Sequence, residues 1–410
     1  MSGPALPGPS RPLQDPELPL TETTAPPPVE LFPPQRQLWT AEAVQPAAEP
    51  LSRHATYLYT LSYLVLFSLL GTLARLGLQA LTFYTGAPVV TGVLWANVTG
   101  SFVMGFLVED KNLFREEWGG ATPAPPKDSD AAHEHAKRHK AVKKTIPLFI
   151  GLSTGFCGCC TSFSSFMRDV FLALANSLPD PSLPGTAIAS RNGGYSFMAL
   201  VAVILMTVSL SLSALIVGAH AALALGRFTP TIPFGLTRRV IDPIIVVLGW
   251  GCWLGAVFLA IWPPDRFSDR ETWRGRVVFA LVFAPLGCLL RFYASLQWNG
   301  RVPSFPLGTF AVNIFGTVLE GVCYDLQHVA GLGAVVPAAW TGCQVLQGVM
   351  DGFCGCATTI STWVAELNGL TRRRDAYVYG VGSVGAGLGV LVVIMGSLLW
   401  TRGFADPVCA

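Results

Sequence analysis

Apolar residues fill most of the chain from residue 57 onward, in long stretches separated by polar connections. Since about 20 consecutive apolar residues are needed to cross the hydrocarbon core of a bilayer, each long stretch predicts a membrane-spanning helix. We count nine such stretches, at residues 57–83, 89–108, 146–175, 196–225, 241–262, 277–298, 305–324, 335–367 and 377–400. The pattern therefore predicts an all-α polytopic membrane protein.

The third and eighth stretches are too long for one straight span, and both contain a glycine-rich string. The string reads GFCGCCTSFSSF at residues 155–166 and GFCGCATTISTW at residues 352–363. Glycine tolerates an unwound backbone. Unwound backbone at membrane depth is tolerated only where protein or a water-filled path surrounds it. Each of the two stretches therefore predicts a broken helix inside the protein.

The string belongs to a longer repeat. GTLARLGLQ, from residue 71, matches GCLLRFYASLQ, from residue 287, and NVTGSFVMG, from residue 97, matches NIFGTVLEG, from residue 313. Arg75 and Asn97 are 22 positions apart, as are Arg291 and Asn313. Each half thus holds four spans, and the single unmatched span between them makes the second half enter the membrane from the opposite side. Such inverted four-helix repeats are a known way of building a solute path.

The repeat divides the chain into five parts. These are a disordered, proline-rich tail (1–55), an N-terminal domain (56–226), a linker with one transmembrane helix (227–274), a C-terminal inverted domain (275–402) and a short tail (403–410). Lys and Arg residues concentrate in the connections on the side of the N-terminus. Because positively charged loops stay in the cytosol, we expect a cytosolic N-terminus and an extracellular C-terminus.

Composition supports the membrane class, since 51% of the residues are hydrophobic and 13% are charged, against about 25% charged in soluble domains. The formal net charge of +2 gives no reason to expect nucleic acid as a partner. Cys157 and Cys160 have CxxC spacing without a second ligand pair nearby, which favours small buried thiols over a metal site. Neither a phosphate-binding glycine loop nor a catalytic constellation stands out, so we expect neither an enzyme nor an ATP-driven pump.

The three motifs, in the same order and duplicated, resemble those of the Fluc (CrcB) fluoride channels. Their fusion in one chain resembles the two-domain eukaryotic fluoride exporter (FEX) type of that family. The resemblance implies a fluoride-selective channel of the plasma membrane, which exports fluoride passively and confers fluoride resistance. It also implies that a monomer acts in the lipid bilayer as an intramolecular pseudo-dimer. A coupled secondary transporter of a small anion and a non-transporting membrane scaffold are the alternatives.

A fluoride pore needs dense hydrogen-bond donors, because the ion is small and tightly hydrated. The resemblance implies a pore lined by Asn97, Asn313, Phe163, Phe166, Ser164, Ser165, Thr359, Ser361, Thr362, Tyr379 and Ser383. The two asparagines would supply amide donors, and the two phenylalanines the positive edges of their rings. Without the resemblance, the asparagines are also typical of polar contacts between helices, and the phenylalanines of ordinary core packing.

The two copies depart from the family pattern in different ways. Ile360 and Trp363 stand where the family has phenylalanine. In the first half, the hydroxyl-bearing residues of the fourth span alternate every second position, which fits one helix face poorly; they are Thr207, Ser209, Ser211 and Ser213. This uneven pattern predicts one working pore that combines elements of both halves, with the other retained for packing.

The resemblance further implies a structural sodium ion, held by carbonyl groups at Gly158 with Thr161 and at Gly355 with Thr358; close packing of small residues is the alternative. Arg75 and Arg291 lie within membrane segments, where a charge is costly. We expect them to attract anions at the pore vestibules, with snorkelling to the interface as the alternative.

Overall fold

The computed structural model describes residues 52–89, 91–115, 142–179, 192–262, 277–330, 339–407 and 409. The predicted disordered tail therefore lies outside the described residues up to residue 51, and from Arg53 on the chain already belongs to the first helix. Most of the connection between the second and third spans (116–141) and the last part of the linker (263–274) also lie outside them. Throughout the described ranges, the regular secondary structure is helical.

The helices follow the predicted spans to within a few residues at most ends. The first half contains α1 (Arg53–Thr82), α2 (Val93–Glu109), α3 (147–160), α4 (Phe163–Leu174) and α5 (Gly193–Leu225). The linker contains α6 (Phe234–Ile261). The second half contains α7 (Phe279–Trp298), α8 (Leu307–His328), α9 (339–357), α10 (Ser361–Gly369) and α11 (Arg373–Arg402).

Seven helical segments in the described part of the chain are long and apolar enough to cross a membrane. They are α1, the pair α3 and α4 together, α5, α6, α7, α8 and α11. Helix α2 is apolar but has 17 residues, and the segment formed by α9 and α10 is not among the seven. The prediction of an all-helical polytopic membrane protein is confirmed at this level, while the count of nine spans stays a prediction.

Both predicted broken helices are present, but the breaks do not lie at the glycines. Thr161 (φ −97°, ψ 151°) and Ser162 (φ −140°, ψ 122°) are extended, and so is Thr358 (φ −94°, ψ 156°). Gly158 and Gly355, three residues earlier, keep helical angles. A π-helical turn precedes each break, at Gly151–Cys157 and Val349–Cys354, and such turns are frequent at functional sites. The helix ends where a threonine can supply new hydrogen bonds.

The two halves interlock through their broken helices. Helix α4 of the first half contacts α8 and α11 of the second, and α10 of the second half contacts α2 and α5 of the first. Within the first half, α2 and α5 approach closely, since a Cβ atom on Gly105 would lie 1.9 Å from the Leu215 carbonyl oxygen. Small residues allow such close approach between membrane helices. The breaks therefore meet in the middle of the molecule.

Candidate functional site

A cluster of buried hydroxyl groups lies where the two breaks meet. The Thr161 Oγ1 and Thr359 Oγ1 atoms are 3.2 Å apart, and Thr161 Oγ1 lies 3.1 Å from Ser361 Oγ. On the other side of the cluster, Thr358 Oγ1 donates to Ser164 Oγ at 3.1 Å. All five side chains are fully buried. The predicted pore hydroxyls of the two halves are thus brought together.

Each half caps the helix that follows the break in the other half. The Thr358 hydroxyl oxygen accepts hydrogen bonds from the Phe163 and Ser164 N–H groups at the start of α4, both at 3.1 Å. Reciprocally, the Thr161 oxygen accepts from the N–H groups of Ile360 (3.2 Å) and Ser361 (3.1 Å) at the start of α10. The first N–H groups of a helix have no partner within the helix. These two threonines therefore satisfy helix ends that would otherwise be unpaired in the core.

Ser165 and Thr362 belong to local caps of the same two helices. The Ser162 hydroxyl accepts from the Ser165 N–H at 3.2 Å and donates to Ser165 Oγ at 3.0 Å. In the second half, Thr359 Oγ1 accepts from the Thr362 N–H at 3.4 Å. This is the side-chain arrangement typical of a helix N-cap.

Asn97 and Asn313 lie fully buried beside the breaks of their own halves. Asn97 Oδ1 accepts from the Ser162 N–H, and Asn313 Oδ1 accepts from the Thr359 N–H, both at 2.9 Å. Each amide also donates one long bond, to the Ser162 carbonyl at 3.5 Å or to the Thr359 carbonyl at 3.3 Å. Because an amide NH2 has two protons to donate, each side chain can hold the break and still offer a donor.

Arg75 and Arg291 are buried against the broken helices, with 1% and 2% of their surfaces exposed. Arg291 donates from Nε to the Cys356 carbonyl at 2.9 Å and from Nη2 to the Thr154 carbonyl at 2.8 Å. Arg75 donates from Nη2 to the Asp351 carbonyl. Both guanidinium groups thus bind carbonyls near the breaks, across the two halves. Their predicted role in attracting anions stays a prediction.

These arginines bear on the predicted sodium ion. A Cβ atom on Gly158 would lie 2.3 Å from Arg291 Nη1, and one on Gly355 would lie 1.7 Å from Arg75 Nη1. The guanidinium groups therefore cover the two glycines, and the hydroxyls of Thr161 and Thr358 already accept hydrogen bonds. The sodium ion, which the resemblance places on carbonyl groups at these residues, stays a prediction.

The rings at the predicted pore form one buried cluster. Phe163 contacts Phe166 edge to face (centroids 5.8 Å apart) and Trp363 likewise (5.6 Å). Trp363 in turn lies 6.4 Å from Tyr379. The Trp363 indole N–H is buried and has no hydrogen-bond partner among the described residues, and such a donor is costly to leave unpaired. Ile360, also fully buried, belongs to the same cluster but has no aromatic ring.

Polar residues of α11 lie next to this cluster. Tyr379 donates its hydroxyl to Glu366 Oε2 at 2.7 Å, and Ser383 donates to the Tyr379 carbonyl at 2.7 Å. Both residues are fully buried. On the matching helix α5, Thr207 and Ser211 face inward, whereas Ser209 and Ser213 are exposed. This outcome agrees with the poor helical spacing of those four residues.

Two features were missed in the sequence. Arg168 lies in α4 and forms an ion pair with Glu320 of α8. Glu320 could have been found, because an ionisable residue inside a predicted span indicates a functional site. Cys343 and Cys409 form a disulfide bond, and no spacing rule identifies that pair among 10 cysteines.

Fold and site define a polytopic helical membrane protein whose two related halves meet at paired helix breaks. A sequence profile described as "CrcB-like protein, Camphor Resistance (CrcB)" matches residues 62–219 and again residues 278–397. The chain therefore belongs to the CrcB-like family, with two copies of the family domain in the fused eukaryotic arrangement. The two matched ranges fall on the two halves of the repeat.

Several named proteins are similar to the chain. "Fluoride export protein 1" of Neurospora crassa is 58% identical over 378 residues, covering 88% of this chain and 70% of that protein. "Fluoride export protein 1" of Candida albicans is 33% identical, covering 81% of this chain and 78% of its own length. The single-domain "Fluoride-specific ion channel FluC 1" of Symbiobacterium thermophilum is 38% identical over 120 residues, covering 28% of this chain and 90% of its own. No solved structure matches the chain significantly.

Proposed function

We propose that this protein is a fluoride channel that exports fluoride passively across the plasma membrane and so confers fluoride resistance. The observation that carries the proposal is the buried cluster of hydroxyls, amides and aromatic edges at the paired helix breaks, in a family whose named members export or conduct fluoride. Dense neutral donors can replace the water of a small anion without holding it as tightly as a charged group would. The chemistry is that of a pore and involves no bond breaking.

The test of this proposal is fluoride efflux from liposomes that contain the purified protein. A channel is expected to pass fluoride much faster than a carrier turns over and without any requirement for a proton gradient. The rival, a coupled secondary transporter, would slow or stop when the gradient is collapsed. If the liposomes retain fluoride with and without a proton gradient, the protein is neither a channel nor a coupled transporter, and a non-transporting membrane scaffold is favoured.

We further infer a topology with nine spans and inverted halves. The reciprocal caps by Thr161 and Thr358 support it, since equivalent residues of the two halves make equivalent contacts. The disulfide between Cys343 and Cys409 supports an extracellular C-terminus, because disulfides persist outside the cytosol and are rare within it. In this arrangement one chain acts as an intramolecular pseudo-dimer.

Epitope tags at the N-terminus and in the 109–144 connection are expected to be cytosolic, and a tag after the C-terminus extracellular. The reason is that nine crossings place the two ends on opposite sides. Antibody labelling of intact and permeabilised cells distinguishes the two locations. A C-terminal tag that becomes accessible only after permeabilisation would contradict the inverted arrangement.

We also propose that one of two paths conducts. The path beside α11 is the candidate, because it combines Phe163 of the first half with Trp363, Tyr379 and Ser383 of the second. The unpartnered Trp363 N–H supplies a donor there. On the other side of the cluster, Ile360 replaces a ring, and an aliphatic side chain offers no positive edge to an anion.

Phe163→Ile is expected to lower fluoride efflux by about fivefold or more, since the edge of an aromatic ring contributes on the order of 1 kcal/mol. Phe166→Ile, the same change one helical turn away, should have a much smaller effect. Efflux from liposomes with matched protein content measures both. If each variant merely halves the rate, two equal pores are operating and the single-path proposal is wrong.

A further inference from the structure

Glu320 is a fully buried carboxylate held between a hydroxyl group and a guanidinium group. Its Oε2 atom accepts a short hydrogen bond of 2.6 Å from the Ser164 hydroxyl. Its Oε1 atom lies 2.9 Å from Arg168 Nη1, without the alignment of a hydrogen bond. Asp169 also lies near this guanidinium, at 3.8 Å, and Asp351 lines the same cavity as Arg168. One oxygen of Glu320 thus faces a hydroxyl and the other a cation.

The same two donors are what a small anion requires. A hydroxyl and a guanidinium that converge on one point form a favourable site for a negative charge, and the Glu320 carboxylate fills that point as an anion tethered to α8. Ser164 directly follows Phe163 and also belongs to the hydroxyl cluster at the breaks. The site therefore adjoins the proposed path.

Arg168 connects this site to the surface. Its side chain is 19% exposed and lines a cavity of about 670 Å³. Tyr324, His328, Gln344 and Asp351 line the same cavity, together with Pro407 and Cys409 next to the disulfide. An anion that passes between the cavity and the hydroxyl cluster would meet Arg168 and Ser164 on its way.

The corresponding positions of the other half lack this arrangement. Counting along the repeat, Met104 stands in place of Glu320 and Ala365 in place of Arg168. Ser361, the counterpart of Ser164, donates instead to the Cys157 carbonyl at 3.1 Å. A broken helix therefore forms in both halves, although only one of the two sets of corresponding positions holds a carboxylate and a guanidinium. The ion pair is thus not required for a helix of this family to break.

We propose that Ser164 and Arg168 form a small-anion site at the cavity end of the conducting path, and that Glu320 is its tethered competitor, which an entering anion has to displace. This inference rests on the proposed fluoride channel function. It assigns Glu320 a restraining role: the carboxylate limits the rate at which fluoride leaves the path.

The test compares fluoride efflux from liposomes containing the full chain and its Glu320→Gln variant. Glutamine keeps the size of the side chain but removes the competing charge. Since a hydrogen bond to a charged group contributes about 1.5 kcal/mol or more, we expect efflux to rise by about tenfold. Asp325→Asn, a carboxylate lost from the same helix, is the control and should leave the rate unchanged. An unchanged or lower rate in Glu320→Gln would overturn the proposal.

A double variant separates an anion site from a mere widening of the path. Glu320→Met with Arg168→Ala reproduces the residues of the other half, so it removes the competitor and the cation together, and the gain seen in Glu320→Gln should be lost. If efflux from the double variant stays above that of the unmodified protein, the proposed role of Arg168 is wrong.

Glu320→Asp keeps the charge on a side chain that is shorter by one methylene group, and its efflux should lie between those of the unmodified protein and Glu320→Gln. This variant tests the proposal if Glu320→Gln does not fold. If the unmodified protein passes no fluoride at all, the proposed function fails and not this inference alone.

Discussion

Asn313→Asp is expected to abolish fluoride efflux. The aspartate keeps an oxygen that accepts from the Thr359 N–H, as Asn313 Oδ1 does at 2.9 Å, so the break should still form. It replaces the amide donors with a negative charge on α8, the helix that packs against α11. Two like charges 4 Å apart interact by about 4 kcal/mol at an effective dielectric constant of about 20, which corresponds to about a thousandfold. Efflux from liposomes measures the loss.

Asn97→Asp is the matched control. It makes the same change at the corresponding position of the first half, where the side chain accepts from Ser162 N–H at the same distance of 2.9 Å. If the path beside α11 is the one that conducts, this variant should retain most of the efflux. Equal loss in both variants would indicate two conducting paths, and normal efflux in both would remove the asparagines from the pore.

Arg291→Met should destabilise the folded protein by about 3 kcal/mol or more, because hydrogen bonds from a charged group contribute about 1.5–3 kcal/mol each and two carbonyls lose their donor. Methionine has a similar length and no charge. Thermal unfolding of the detergent-solubilised protein measures the change. The physical reason is that the Cys356 and Thr154 carbonyls would be left buried without a hydrogen-bond donor.

Arg75→Met is expected to cost less. Arg75 donates to the Asp351 carbonyl, whereas its Nε and Nη1 atoms are buried without a hydrogen-bond partner in the described structure. The substitution therefore removes the cost of burying two unpaired donors together with the gain from one hydrogen bond. If the two variants unfold at the same temperature, the arginines act through charge alone and do not brace the breaks individually.

Sequence reasoning predicted the helices and their breaks because both rest on local patterns. Apolar length sets the spans, and the duplicated string locates the interruptions. It could not predict which atoms meet across the halves: Thr358 caps α4 from 195 positions away, and no pattern of spacing contains that contact. The two arginines show the same limit, since their burial at the breaks depends on how both halves dock.

The departure at Trp363 illustrates a different limit. The sequence has a tryptophan, with its indole N–H, at the position where the resemblance implies phenylalanine. It could not show that this N–H is buried without a partner among the described residues and next to Phe163. That environment makes the Trp363 N–H a candidate donor, and the proposal of a single conducting path rests on it.

The reciprocal threonine caps also constrain how the protein is made. During synthesis, the first half is made before Thr358. The Phe163 and Ser164 N–H groups at the start of α4 therefore gain this hydrogen-bond acceptor only after the second half has been made. Contacts so distant in sequence form slowly, and half-built intermediates with exposed polar backbone are prone to misassembly. Either half expressed alone should therefore fold poorly, because the threonine that caps its broken helix belongs to the other half. The linker helix α6 keeps the two partners in one chain.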